Sequence, residues 1–346
     1  MDLDSYKTNI TSIIAGGYIT SSITIGKELG LFDALTNLTT PVSSQQLADL
    51  CHLKERYVRE WLGCMVASKI VSLDDSDNYF IPDSCKPGVN RFNFAFFYPL
   101  VNVMTKKAIE CFRKDGPAGY GYDDMPVELP DVLDSRLARG NPSTILDSMF
   151  EPVLTMRESS TVTTILDLGS GSGMLTRALG KRFPDATVYG ADFNEVAINR
   201  AKAKTENLAN VKFLTANAAS LPSDWTNKFD WIIMFDVLHD LPCPVECMHE
   251  VFRVLKDDGV ASIADPDVHS RHRDNIGDVN LAAVEYSLSS IICLPSSLSR
   301  DGAAGNGVGW GTENREAFVT EAGFCVKNKR RIGFECNFTC VKVVSM

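Results

Sequence analysis

The sequence predicts an α/β protein in which a Rossmann-like nucleotide-binding core follows an α-helical winged-helix domain. Three observations carry this. A short apolar run, Thr163–Leu168, leads into Gly169, Gly171 and Gly173 and then into an amphipathic segment with Leu175, Leu179 and Phe183 four apart. Further apolar runs at Ala186–Ala191, Val211–Thr215, Phe229–Phe235 and Val260–Ala264 alternate with helical stretches, the pattern of a parallel sheet. Upstream, a helix-turn-helix pair is followed by two short strand-like runs around an Asp-Ser-Asp-Asn turn, the order of a winged helix.

The glycines allow a sharp turn and let a ligand approach the main chain where a side chain would clash. The helix that starts there points unpaired N–H groups at the ligand, which favours a carboxylate or phosphate. The second run ends in Asp192, about 20 residues beyond the glycines, where an acid can bond both hydroxyls of a ribose. A glycine pattern alone also occurs in plain loops. Four features in register are harder to obtain by chance.

The order "LDLGSGSG", "VYGADFN", "FLTANAASLP", "FDWIIMFDVLHDL", "EVFRVLKDDGVASIADP" resembles the class I S-adenosylmethionine-dependent methyltransferases. A dinucleotide-binding dehydrogenase usually shows Gly-x-Gly-x-x-Gly and lacks "RVLKDDG", a helix ending in a Lys-Asp-Asp-Gly turn. The resemblance is strong from Thr163 to Met346 and implies S-adenosyl-L-methionine as cofactor. It implies cofactor contacts at Gly169, Gly171, Gly173, Asp192 and Asp236. Phe193 either packs on adenine or belongs to the core. Relatives commonly have an acid where Asn217 stands. Asn217 accepts through its amide oxygen without charge, and Ala218 offers a backbone N–H to the ring.

Residues from about Asp4 to Gly30 read as one helix, with Gly16 and Gly17 as points of close packing against a partner helix. "LGLFDAL" follows, then a helix start at Ser43 or Ser44, where serine caps, and the helix-turn-helix pair. Residues 1–90 hold seven Lys/Arg against eleven Asp/Glu. The helix offered as a DNA reader mixes Lys54, Arg56 and Arg59 with Glu55 and Glu60, so a basic face is missing. The arrangement resembles small-molecule O-methyltransferases that dimerise through the N-terminal domain, and methyltransferases with an N-terminal winged helix. A homodimer is expected, and nucleic acid is not.

The expected division is 1–90 for the winged-helix dimerisation domain, 91–159 for a helical linker and acceptor-pocket cover, and 160–346 for the methyltransferase domain. An insertion at about 266–312 interrupts the last. Tyr120 and Tyr122 in the linker, and Tyr286 and Trp310 in the insertion, are candidate pocket walls. The string "DVLDSRLARGNPSTILDSM" supplies helices without identifiable chemistry.

At 346 residues the chain allows two domains. A net charge of −10 disfavours general nucleic-acid binding. Asp2 and Asp4 replace the basic region of a signal peptide, and no run of about 18 apolar residues could span a membrane. Ten scattered cysteines read as reduced thiols of a cytoplasmic protein. Cys243 and Cys247, with His239 and His249 nearby, lack a second cysteine pair, and no metal is expected.

Transfer of a methyl from a sulfonium needs mainly alignment and exclusion of water. A hydroxyl or thiol acceptor also needs a base, for which histidine is the usual agent. His239, after the fourth strand, is the leading catalytic candidate, with Asp240 able to point outward and cap the next helix. His269 and His272 are weaker candidates. Two functions follow: methyl transfer to a small molecule, or a cofactor-sensing regulator whose winged helix binds DNA or protein.

Overall fold

The computed structural model describes residues 2–130, 132–133, 142–157, 162–205, 207–277 and 282–343. The chain forms two compact units, Met1–Asn102 and Val103–Met346. In the first, α1 (Leu3–Glu28) starts at Asp2, whose carboxylate accepts from the N–H groups of Asp4 and Ser5 at 3.1 and 2.9 Å. Helices α2 (Leu31–Asn37), α3 (Ser44–Leu50) and α4 (Glu55–Ala67) follow, then the antiparallel wing of β1 (Ser72–Leu73) and β2 (Tyr79–Phe80). Ser43 and Gln46 close the first turn of α3 as a reciprocal capping box. Leu31, Phe32, Leu35, Leu47, Leu62 and Met65 are buried as the core of this unit.

The close approach expected at Gly16 and Gly17 occurs instead at Gly26. A Cβ on Gly26 would lie 2.4 Å from the Trp61 ring, whereas Gly16 has nothing within 4 Å and Gly17 faces only the Tyr98 hydroxyl. Trp61 fixes the contact by donating from Nε1 to the Ser22 carbonyl at 2.8 Å. Along α1, Leu3, Tyr6, Ile10, Ile13, Ile14, Tyr18 and Ile25 remain exposed. A 3₁₀ stretch, Lys86–Phe97, then leads into α5 (Tyr98–Cys111), inside which the two units divide.

The second unit is built on a seven-stranded sheet. Its chain order is α6 (Pro142–Leu154), β3 (Thr164–Leu168), α7 (Met174–Arg182), β4 (Thr187–Asp192), α8 (Glu195–Ala203), β5 (Val211–Thr215) and β6 (Phe229–Phe235). Then come α9 (Pro244–Val254), β7 (Leu255–Pro266), α10 (Ala282–Leu288), α11 (Leu294–Ser297), α12 (Gly311–Glu321), β8 (Phe324–Ile332) and β9 (Glu335–Lys342). Of the expected linker helices, α6 is seen, while 131 and 134–141 lie outside the described residues, as do the 159/160 boundary and 344.

The sheet order is β5-β4-β3-β6-β7-β9-β8, parallel through β7 and antiparallel at β9 and β8. All seven residues of β6 are buried, because helices cover both faces of a parallel sheet. With period-2 alternation, Ile232 and Met234 join Met248 and Val251 of α9 on one side. Trp231 and Ile233 join Phe150 of α6 and Leu179 of α7 on the other.

One expectation changes in form. The Lys-Asp-Asp-Gly segment is not a turn capping α9, which ends at Val254, but part of β7. Pairing jumps from Phe229–Leu255 to Trp231–Val260, so the four residues bulge opposite Asp230. The reason is electrostatic. The buried Asp230 carboxylate takes Lys256 Nζ at 2.8 Å and Arg157 Nη2 at 2.7 Å, and it accepts from the N–H groups of Thr163 and Thr164. Burial opposes its charge, but the Lys256, Thr164 and Thr163 donors prevail and hold the carboxyl at about 2.

A carboxyl depressed in the folded state contributes stability above its unfolded pKa near 4, and that stability is lost as pH falls through the folded value. Asp230→Asn should therefore cost about 2 kcal/mol at neutral pH and little near pH 2. Urea unfolding of both proteins at the two pH values checks this, and an equal difference at both would contradict it.

Candidate active site

The glycine turn follows β3 at the carboxyl edge of the sheet, where ligands of such folds bind. Gly169, Gly171 and Gly173 all have positive φ, +80°, +52° and +79°. A Cβ at Gly169 would meet Val237 at 2.4 Å and one at Gly173 would meet Phe213 at 2.4 Å, whereas Gly171 has nothing within 4 Å. Two glycines thus admit neighbours and the middle one faces open space. Gly171 N–H donates to Asp192 Oδ2 at 2.8 Å, and Asn194 N–H donates to Oδ1 at 2.9 Å. Each oxygen keeps acceptor capacity for a further donor. Burial pushes the Asp192 carboxyl up, against these backbone donors. Beneath the turn lies a second buried acid, Asp167, raised to about 7 by burial although Thr176 Oγ1 donates to it at 2.6 Å.

The next two strand ends extend this crevice. Ala216 N–H donates to the Asp192 carbonyl at 2.9 Å, which ties the segment after β5 to the end of β4. Asn217 is exposed, with its amide oxygen accepting from Ala219 N–H at 3.0 Å, and Ala218 is half-buried. Phe193 is 49% exposed, so the core alternative for it fails. Its ring meets that of Tyr122 edge-on, with centroids 6.0 Å apart.

After β6 the chain makes a tight turn. Asp236 takes φ +60° and its N–H donates to the Ala264 carbonyl at 2.7 Å. Leu238, His239 and Asp240 then form one buried 3₁₀ turn. His239 is 2% exposed and its ring lies between acids. Nδ1 is 2.9 Å from Asp265 Oδ1, while Nε2 is 3.1 Å from Asp240 Oδ1 and 3.9 Å from Asp236 Oδ1. Burial alone would lower the imidazole pKa. The charges of Asp240 and Asp265 outweigh it and raise the pKa well above the ordinary value.

Asp240 does not point outward or cap α9. It is buried, with Oδ2 accepting from the Tyr122 hydroxyl at 2.6 Å, because the carboxylate is drawn to the imidazole. The insertion wraps the same turn: Gly307 N–H donates to the His239 carbonyl at 3.1 Å, and Tyr120 N–H donates to the Pro295 carbonyl at 3.0 Å.

The other candidates separate. His269 is exposed and pairs with Glu313 at 2.6 Å, and His272 lies edge-on to Tyr286. Trp310 packs on Phe318 against the main core. Sequence reading missed Asp265 and Cys293. Asp265 had a signal, since it sits near the carboxyl end of β7 much as Asp192 ends β4. Cys293, at the end of the π-helical turn Ser289–Cys293, had none.

Comparison with known proteins bears on the domain that carries this site. Residues 159–305 match the methyltransferase-domain family, and residues 17–86 match the Rv2258c-like winged HTH domain. The chain joins a winged helix to a methyltransferase domain. Demethylmenaquinone methyltransferase of Staphylococcus carnosus is 35% identical over 97 residues, which are 28% of this chain and 40% of that protein. The chain thus matches well under half the length of that relative. A candidate O-methyltransferase from Nostoc punctiforme shares the fold with TM-score 0.72 at 16% identity, covering 97% of this chain and 98% of that one. Human N-acetylserotonin methyltransferase, solved in complex with SAM, gives 0.67 at 14% identity and covers 99% of both chains. Mitomycin 7-O-methyltransferase gives 0.67 at 15%, covering 98% of both. At such identities the likeness is one of fold.

S-adenosyl-L-methionine is the cofactor of the methyltransferase domain, and the residues present fit it. Gly171 faces open space, the Asp192 oxygens keep free lone pairs, and the buried Ser170 Oγ in the turn has no hydrogen-bond partner among the described residues. Asp192→Ala should weaken S-adenosyl-L-methionine binding by roughly 10- to 100-fold, the worth of a charge-assisted hydrogen bond. Calorimetric titration measures it, and equal affinity in the variant would remove Asp192 from the cofactor site.

Proposed function

We propose that the chain transfers the methyl group of S-adenosyl-L-methionine to a hydroxyl or thiol of a small molecule, with His239 taking the acceptor's proton. The observation that carries this reading is an imidazole set beside the glycine turn and oriented through Nδ1 by Asp265. The names of the relatives support a small acceptor, since they include enzymes for demethylmenaquinone, N-acetylserotonin and mitomycin. Bound S-adenosyl-L-methionine supplies an electrophilic methyl on a positively charged sulfur. The residues of the chain supply alignment, dryness and proton removal.

In the neutral imidazole, donation from Nδ1–H to Asp265 leaves Nε2 as the proton-accepting nitrogen, and because the two acids raise its pKa well above the ordinary value that form grows in as pH rises. A proton taken there creates an imidazolium between Asp265 and Asp240, and both carboxylates stabilise it. In the structure Asp240 shields Nε2, and Tyr122 holds Asp240 in that position. Entry of an acceptor therefore requires the segment around Tyr122 to yield. A thiol near pKa 8.5 asks less of the base than a phenol near 10.

His239→Ala should lower kcat on a phenolic acceptor by about 10²- to 10⁴-fold and leave the S-adenosyl-L-methionine dissociation constant unchanged. Single-turnover kinetics with calorimetry separates the two quantities. A variant with wild-type kcat would leave positioning alone as the mechanism.

We infer in addition that residues 1–90 form a homodimer in the cytoplasm. The exposed apolar residues of α1 recur every three or four positions, and a face of that length needs a cover. On α4, Arg56 pairs with Glu60 and Arg59 with Glu55, which weakens the case for a cofactor-sensing DNA regulator. All ten cysteines are free, as suits a reducing compartment. Among the described residues no helix is long and apolar enough to cross a membrane. Light scattering should give a dimer for the wild type and a monomer for Ile10→Glu/Ile13→Glu. A monomeric wild type, or sequence-specific shifts of duplex DNA, would favour the regulator.

A further inference from the structure

We propose that His239, Asp240 and Cys293 form a binding site for a borderline-soft divalent cation, Zn²⁺. The Nε2, carboxylate and Sγ atoms of these residues lie within 4.8 Å of one another. Two of the three residues are more than nine-tenths buried. Their facing atoms, His239 Nε2 and Asp240 Oδ1, stand 3.1 Å apart, buried and, among the described residues, outside any further hydrogen bond of good geometry. With the Nδ1 proton donated to Asp265, Nε2 faces a carboxylate oxygen across a gap that the imidazolium fills with its second proton. A metal cation can take that proton's place, since a neutral Nε2 and a carboxylate oxygen are both acceptors and repel at that distance with nothing between them.

The donor set and its surroundings suit zinc. Imidazole nitrogen, thiolate sulfur and carboxylate oxygen are its ordinary ligands, and three protein ligands leave a fourth position for water. Ligand atoms around zinc stand roughly 3.5 Å apart, so modest contraction of the cluster closes the site. Asp265 on Nδ1 is the carboxylate that fixes the ring of a metal-binding histidine, and Tyr122 holds the other oxygen of Asp240 in the same supporting manner. Charge also balances. Zinc displaces the Cys293 thiol proton to solvent, and the thiolate and the Asp240 carboxylate together neutralise the ion. Burial pushes the Cys293 thiol up to about 12, and a bound cation lowers the cost of its deprotonation.

Spacing along the sequence directs attention to Cys243 and Cys247. The cluster is instead assembled from the turn after β6 and the π-helical turn of the insertion. The site does not depend on the acceptor, and an ion on Nε2 would hold His239 out of proton transfer.

The test uses the full chain, freed of metal with a chelator and titrated with Zn²⁺ against a chromophoric competitor. One equivalent should bind. Cys293→Ser should weaken binding by more than about tenfold, and Asp265→Asn by about 10- to 100-fold, the usual cost of an outer partner. Co²⁺ in place of zinc should give a thiolate charge-transfer band that is lost in Cys293→Ser and kept in Cys243→Ser. The proposal is overturned by absence of stoichiometric binding, by equal affinity in Cys293→Ser, or by loss of the band in Cys243→Ser alone.

Discussion

Much of the second unit depends on one carboxylate oxygen. Asp265 Oδ1, near the end of β7, accepts from Val237 N–H and meets His239 Nδ1, each at 2.9 Å. The first bond fixes the path of the chain as it leaves β6, and Val237 is the side chain that closes over Gly169. The second fixes the imidazole. One buried acid thus sets the floor of the glycine turn and the orientation of the His239 ring together, and Arg315 supports it by bonding the Asp265 and Pro266 carbonyls.

The remaining chemistry is a competition among negative charges at one sheet edge. Asp167, Asp192, Asp236, Asp240 and Asp265 all sit at or near the carboxyl ends of β3, β4, β6 and β7. Burying acids together is costly unless donors or cations meet them. Backbone N–H groups serve Asp192, a threonine serves Asp167, and His239 serves two acids at once. A cationic cofactor or a metal ion suits an edge so charged.

The centre of the sheet was legible in the sequence because β3 and β6 are buried on both faces, and apolar runs between glycine and acid markers leave few alternatives. The glycine turn, Asp192 and His239 were legible as neighbours at one sheet edge because short spacings put each at the end of a strand. The burial of Asp240 was not, because an acid beside a helix start ordinarily caps it, and only Tyr122 and His239, brought in by folding, draw it inward. Cys293 was illegible for the same reason: nothing local marks it, and its meaning comes from the turn it faces. Gly26 hid behind Gly16 and Gly17 because a helix shows its tightest contact only once its neighbour is known.

The Gly26–Trp61 contact has a further consequence. Helix α1 rests on the winged-helix core at a point with no room for even a methyl group. A larger residue there would strike Trp61 and Phe32, two rings of the core that α2, α3 and α4 build. It would free a long helix with isoleucines and tyrosines on its flank. The displaced rings belong to the core, so the first unit as a whole would loosen along with the helix that rests on it.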